Sequence, residues 1–414
     1  MLLLDNVPAD LGIVVVIPCF NESLLLNTLD ALLNCTRSDC STEIIVVLNA
    51  SENADEKIIF QNNETKKYFL EWKKKHLDYK LKFYLIEACL LPKKYAGVGL
   101  ARKIGMDEAY LRFEKSTQKN KIIACMDADS LCEKNYFTAL ENHFLKNPKT
   151  PACSIYFEHP VNGNEFSKEV YEGIIQYELF LRYYNQGLRY AGFPFAFHTI
   201  GSSMAVRAEV YKKQGGMNKR KAGEDFYFLQ KIMLLGFFSE LNETKIIPSP
   251  RPSNRVPFGT GKAIQKWLDE KNNSYSAYHP QSFIDIKKLF DTIESCYQKN
   301  NFSDFLLVLP NTVQLFLAEN NFSERVKEWN ENSTSKKYFL KRFFSWFDGF
   351  TMLKFMHYVR DEHYGLMDLQ TTVSQLLELR NKGFEKNNFS AEAQLKLLRE
   401  IERSENYFSN LDKM

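Results

Sequence analysis

Asp127 and Asp129 stand one residue apart at the end of a short apolar run, Ile122 to Met126. In an extended backbone, residues i and i+2 share a face, so both side chains can reach the same side. Two carboxylates held that close repel unless a cation lies between them. Hard ions such as Mg²⁺ or Mn²⁺ take oxygen ligands of this kind and complete their shell with waters and substrate phosphates. The plainer alternative is a polar turn that closes a strand, with Asp129 or Ser130 capping the next helix.

Four further segments place polar residues at turns. In VVVIPCFNES, Val14 to Ser23, Pro18 is expected to end a strand because it has no N–H for the ladder. Asn21 and Glu22 would then sit at a sheet edge where a helix opens, or serve only as a turn with a cap. In GVGLARKIGMDEA, Gly97 to Ala109, Arg102 and Lys103 lie early in a helix. They are placed either to hold a phosphate or the acidic pair, or simply to face solvent. The glycines there match a dinucleotide fingerprint only loosely and no strand immediately precedes them, which excludes that reading. In TIGSSMAVRAEVYKKQGGM, Thr199 to Met217, the small residues Gly201, Ser202 and Ser203 either admit a substrate close to the backbone or form a tight turn. In KAGEDFYFLQKIMLLG, Lys221 to Gly236, Glu224 and Asp225 fall in the first turn of a helix, where carboxylates are electrostatically favoured. A chemical role requires one of them to accept the proton of a substrate hydroxyl.

Strands and helices must alternate to position these groups. GIVVVI (Gly12 to Ile17), EIIVVLN (Glu43 to Asn49), Leu81 to Ile86 and Ile122 to Met126 read as buried strands. Helical periodicity separates them at Glu22 to Asn34, Glu64 to His76 and Gly99 to Phe113. Cys153 to Glu158 and Ser202 to Arg207 read as later strands, and Phe166 to Asn185 and Glu224 to Leu235 as helices. This alternation predicts an α/β fold with a mostly parallel sheet covered on both faces, and ligands bind beyond the carboxyl ends of such strands. From about Phe283 helical periodicity dominates. The boundary is expected near the Pro-rich PSPRPSNRVPFGTG, Pro248 to Gly261, which gives a catalytic domain of residues 1–260 and a helical region of residues 261–414.

The order IPCFNE, GLARKIG, MDAD, GSSMAVRAEVYKKQGGM and GEDFYFLQKI is similar to family 2 glycosyltransferases of the GT-A fold, over roughly Gly12 to Pro250. The resemblance implies a nucleotide-diphospho-sugar donor, Mg²⁺ or Mn²⁺ on Asp129 and Asp127, and inversion at the anomeric carbon. It implies that a carboxylate of the Glu224–Asp225 pair, Asp225 above all, takes the acceptor's proton. By the same match Pro18, Phe20 and Glu22 line the nucleotide pocket, Asp127 also lies near the ribose or sugar, and Arg102 sits near the donor. Asn49 stands where many members carry an acid. It can accept a hydrogen bond from the base or ribose but brings no charge.

Gln265 and Trp267 in AIQKWL lack the Q-x-x-R-W spacing of processive members, so a single transfer is expected rather than polymer synthesis. Arg251, Arg255 and Lys262 either clamp a phosphate of donor or acceptor or are solvated charges. His279 is a further candidate metal ligand or a structural histidine. The acceptor, whether a glycan, a lipid-linked sugar or a small metabolite, stays open. So do a retaining outcome on a small phosphorylated acceptor and a non-catalytic nucleotide-binding scaffold. A nucleotidyltransferase would carry a Gly-rich, Lys-containing loop after its first strand, which PCFNES lacks.

With 54 basic and 51 acidic residues the net charge is +3, too balanced for a nucleic-acid partner. No apolar run approaches the ~20 residues of a spanning helix, and MLLLDNVPAD does not read as a signal peptide. None of the cysteines forms a C-x-x-C pair, and several lie in apolar runs, as buried thiols of a reducing cytoplasm would. A cytoplasmic, bacterial protein is expected. Lys341 to Tyr358 mingles basic and aromatic residues, which leaves peripheral contact with the inner membrane face open. Its aromatics do not segregate to one face, which favours packing against the catalytic domain.

Overall fold

The structure is a computed structural model and describes residues 1–221, 223–255, 258–270, 274–299, 301, 303–380, 389–405 and 407. Residues 256 and 257 of the Pro-rich stretch lie outside the described residues. The chain forms two compact units, one of residues 1–171 and 198–265 and one of residues 172–197 and 266–414.

The first unit is built on an eight-stranded sheet among the described residues. Its strands are β1 (Leu11–Cys19), β2 (Ser41–Ser51), β3 (Leu81–Leu91), β4 (Ile122–Cys125), β5 (Leu131–Cys132), β6 (Ala152–Phe157), β7 (Met204–Arg207) and β8 (Ser239–Ile247). They lie in the order β3-β2-β1-β4-β7-β6-β8-β5. The first four neighbours pair in parallel, as do β6 and β8. β7 runs antiparallel to β4 and β6, and β5 runs antiparallel to β8. β1 is buried at every position, as a central strand covered on both faces must be.

The helices begin with α1 (Leu25–Leu33), α2 (Glu56–Lys75), α3 (Val98–Phe113) and α4 (Tyr136–Lys146). They continue with α5 (Lys168–Tyr190), most of which belongs to the second unit, then α6 (Ala208–Lys213) and α7 (Glu224–Met233). α3 positions Arg102. It lies so close to the sheet that a Cβ on Gly105 would come within 2.4 Å of Val16 Cγ1. Its far end is tied to β2 by Arg112, whose Nε and Nη2 donate to the two carboxylate oxygens of the fully buried Glu43 at 2.5 and 2.7 Å. Removing one partner of such a pair would strand a buried charge, so the helix register is firmly set.

Three expectations need correction. β1 does not stop at Pro18; it runs to Cys19, with Pro18 opposite Val47 of β2. Val16 accepts from Met126 on the β4 side, so Pro18, two residues on, faces that same side, where the register with β4 has already ended at Val16. Its missing N–H is therefore not needed. α2 starts at Glu56 rather than near Glu64, because the Asp55 side chain accepts from Lys57 N and caps it. β8, SELNETKII, was not expected. Its polar residues share the strand with buried Ser239, Leu241, Thr244 and Ile246, which masks the apolar signal.

The second unit is helical beyond a two-stranded sheet. After α8 (Thr260–Asp269) and β9 (Ser276–Tyr278) come α9 (Gln281–Thr292), α10 (Ser303–Leu307), α11 (Asn311–Glu319), α12 (Phe322–Glu331), α13 (Lys336–Trp346) and α14 (Gly349–Val359). β10 (Leu366–Asp368) pairs with β9, and α15 (Leu369–Leu379) and α16 (Ala391–Ser404) follow. The aromatics of the Lys341–Tyr358 stretch pack inside this unit: Phe343 and Phe344 on Phe290, and Phe347 and Phe355 on Phe316. No helix among the described residues is long and apolar enough to cross a membrane.

Candidate active site

The candidate side chains gather beyond the carboxyl ends of β1 and β4 and at the start of α7. The turn after β1 is held from α2. Asn21, at φ +47, donates its N–H to Asn62 Oδ1 at 3.0 Å, and Thr65 Oγ1 donates to the Glu22 carbonyl at 2.8 Å. Pro18 and Glu22 are buried, and Phe20 is half-buried. Asn49 is buried too, and its amide donates to the Cys19 carbonyl at 2.8 Å, so it fixes the end of β1.

After β4, Asp127 and Asp129 are both half-buried. Burial, with Asp127 and Glu22 nearby, pushes the Asp129 carboxyl up to about 6, against the pull of Arg251 and Arg255. Arg102, 3% exposed, reaches from α3 between the two acidic groups. It donates through Nη2 to Asp127 at 2.6 Å and through Nη1 to Glu224. Gly201 makes room for it, since a Cβ there would lie 2.3 Å from Arg102 Nη1.

This bridge separates the two acids of α7. Glu224 is 1% exposed and is taken by Arg102. Asp225 is half-buried, and its Oδ1 accepts from Phe226 N at 2.8 Å. Burial raises its carboxyl above the ordinary aspartate value, while Arg102 and the backbone of Phe226 and Gly201 oppose the rise. Of the two acids, Glu224 is the one bonded by Arg102, and Asp225 is the more exposed.

Residues 14–215 match the family model of glycosyl transferase family 2. The chain carries a family 2 glycosyltransferase domain. Among solved structures, the glycosyltransferase chain is similar to S. aureus TarS 1–349, at 13% identity over 91% of this chain and 93% of that one, with a TM-score of 0.39. It is similar to TarS 1–349 in complex with UDP-GlcNAc at 13% identity, the same coverage and a TM-score of 0.41. For TarS 1–349 in complex with UDP the values are 12% identity, 92% and 95% coverage, and 0.39. No curated protein matches the chain.

Among the glycosyltransferase's described residues, no three His, Cys, Asp or Glu side chains converge as a closed metal cage requires. Asp127 and Asp129 are instead hard oxygen donors one residue apart in the chain, Asp127 beside Arg102 and Asp129 beside Arg251 and Arg255. That chemistry fits Mg²⁺ or Mn²⁺, which draw on waters and substrate phosphates for the rest of their shell. Buried Ser130 Oγ, next in the chain to Asp129, has no hydrogen-bond partner among the described residues.

The structure adds residues that the sequence did not single out for these roles. Arg251 donates to Glu22 and, at 3.2 Å, to Asp129; Arg255 donates to Glu22 at 3.1 Å and to the Phe20 carbonyl at 3.0 Å. Asn62 and Thr65 hold the β1 turn. The signal for them was a stripe on α2, Asn62, Thr65, Phe69 and Trp72, in which two polar residues share a buried helical face. Three other candidates have local partners. Lys103 Nζ bonds Asp107, and Lys262 Nζ bonds Asn254 at 2.9 Å. His279, in the second unit, accepts from Gln281 N at 3.1 Å through Nδ1.

Proposed function

We propose that this glycosyltransferase moves a sugar from a nucleotide-diphospho-sugar to an acceptor hydroxyl with inversion, and that it requires Mg²⁺ or Mn²⁺. Asp225 accepts the acceptor's O–H proton as that oxygen bonds to the anomeric carbon. The bond from the anomeric carbon to the diphosphate oxygen breaks on the opposite face, and the nucleoside diphosphate leaves with that electron pair. Asp127 and Asp129 would hold the ion, which as a Lewis acid supplies positive charge for the departing diphosphate. Pro18, Phe20 and Glu22 border the nucleotide side, and Arg102 fixes Asp127 and Glu224 relative to each other.

The observation that carries this reading is at α7, where Glu224 is buried and paired with Arg102 while Asp225 is half-buried and not bonded by Arg102; burial raises both carboxyls, so pairing and exposure are what separate them. A helix-capping role alone would not require the two neighbouring acids to be treated so differently.

The test is release of nucleoside diphosphate from UDP-, GDP-, CDP- and ADP-sugars with Mn²⁺, with water or a sugar mixture as acceptor, followed by NMR of the product anomer. Turnover of one donor with inversion supports the reading. A retained anomer would remove Asp225 as base, and no turnover of any donor by folded protein would remove the transferase reading for these donors.

A further inference from the structure

We propose that Arg251 and Arg255 bind the donor's diphosphate and, before it arrives, compete with a divalent cation for Asp129. The proposal rests on the transferase reading above. Glu22 Oε2 takes both Arg251 and Arg255, the latter at 3.1 Å, while Oε1 accepts from Leu24 N at 2.9 Å. Asp129 Oδ2 lies 3.2 Å from Arg251 Nη2 and 3.7 Å from Arg255 Nη2. Two guanidiniums are thus shared between two carboxylates, one of them an expected metal ligand.

A divalent ion bound directly to Asp129 Oδ2 would face two positive groups within a few ångströms, and like charges at that range strongly disfavour each other. The ion and the arginines therefore exclude one another at this oxygen. Both arginine side chains keep about a quarter to a third of their surface exposed, at 26% and 30%, unlike the 4% of Arg102. They can turn toward a ligand, whereas Arg102 is fixed. Their planar forks match phosphate oxygens, which can replace the carboxylate oxygens they give up. The diphosphate draws the guanidiniums off Asp129, and the ion takes the oxygen they leave. Cation binding and nucleotide binding are then coupled through these two side chains.

The experiment uses the full chain and two readouts. Free Mn²⁺ is followed by electron paramagnetic resonance without nucleotide, in wild type, Arg251→Gln, Arg255→Gln and Arg251→Lys/Arg255→Lys. Binding of UDP, CDP, GDP and ADP is measured by calorimetry at saturating Mn²⁺. The expected result is that each Gln variant binds Mn²⁺ alone several-fold more tightly than wild type and binds the preferred nucleotide at least tenfold more weakly. The Lys pair, which keeps charge but loses the fork, should leave Mn²⁺ binding near wild type and weaken the nucleotide. Arg255→Gln leaves Arg251 on Glu22, so this variant keeps the test open should Arg251→Gln unfold. Unchanged or weaker Mn²⁺ binding in a folded Gln variant overturns the competition, and unchanged nucleotide affinity overturns the diphosphate role. If wild type binds none of the four nucleotides, the transferase reading falls and the proposal falls with it.

Discussion

Replacing Arg102 by Met tests the bridge on which the site depends. The substitution keeps an apolar stem and removes the guanidinium that joins Asp127, at 2.6 Å, to Glu224. Glu224, with 2% of its side chain exposed, would be left as a buried charge without its partner. Coulomb's law at ~4 Å and an effective dielectric of ~20 gives about 4 kcal/mol for one such pair. Removing one partner of a buried pair costs about 3–5 kcal/mol, so the two routes agree. In the double variant Arg102→Met/Glu224→Gln the stranded charge is gone, and at least about half the loss should return, a coupling of about 2 kcal/mol. The assay is urea unfolding at pH 7.5 of wild type, both single variants and the double variant, with the two units' transitions fitted separately. Strictly additive losses would refute the reasoning, because they would mean that Arg102 and Glu224 do not depend on each other.

Three further outcomes are expected. Asp225→Asn should lower kcat by about 10²–10⁴-fold, the range for a general base, with no loss of thermal midpoint; in wild type the acid limb of kcat/KM should lie above the ordinary aspartate range, because the base must be ionised and its carboxyl is raised. In EDTA, Asp129→Asn should be more stable than wild type at pH 7.5. The Asp129 carboxyl stands at about 6 against an ordinary 3.8, so its favourable contribution is complete below pH 3.8 and is lost as pH rises through 6, on the order of 3 kcal/mol in total; a stability difference independent of pH between 4 and 7 would contradict this. Gly201→Ala should cost about 1–3 kcal/mol by overpacking and should depress turnover, since its Cβ would meet Arg102 Nη1 at 2.3 Å; unfolding and initial-rate measurements together check it.

Much of the frame was legible because its residues obey local rules. The apolar runs that became β1, β2 and β4 needed no tertiary knowledge, and Asp127, Asp129 and the Glu224–Asp225 pair could be placed at element ends. What the sequence could not show was which charged groups meet. Arg102 and Glu224 are 122 residues apart in the chain, and Arg251 and Glu22 are 229 apart. Periodicity carries no information over such separations; it offered Arg102 for a phosphate or for the acidic pair, and could not show that it joins Asp127 to Glu224. β8 was hidden for a related reason: its place between β6 and β5 is set by pairing rather than by its own apolar content. Asn49 was expected to accept a hydrogen bond from base or ribose; what the sequence did not show is that its amide N–H also donates to the Cys19 carbonyl and holds the end of β1.

The most direct test of nucleotide-sugar transfer at this cluster is a thermal-shift panel of UDP, GDP, CDP, ADP and their sugars, with and without Mn²⁺, on wild type and Asp129→Ala. A ligand that binds only the folded state raises the midpoint by mass action. The expected result is a Mn²⁺-dependent rise with one nucleotide and its sugar, lost in Asp129→Ala. A rise with none of them, or a rise that survives unchanged in Asp129→Ala, would contradict the placement of the donor at these aspartates.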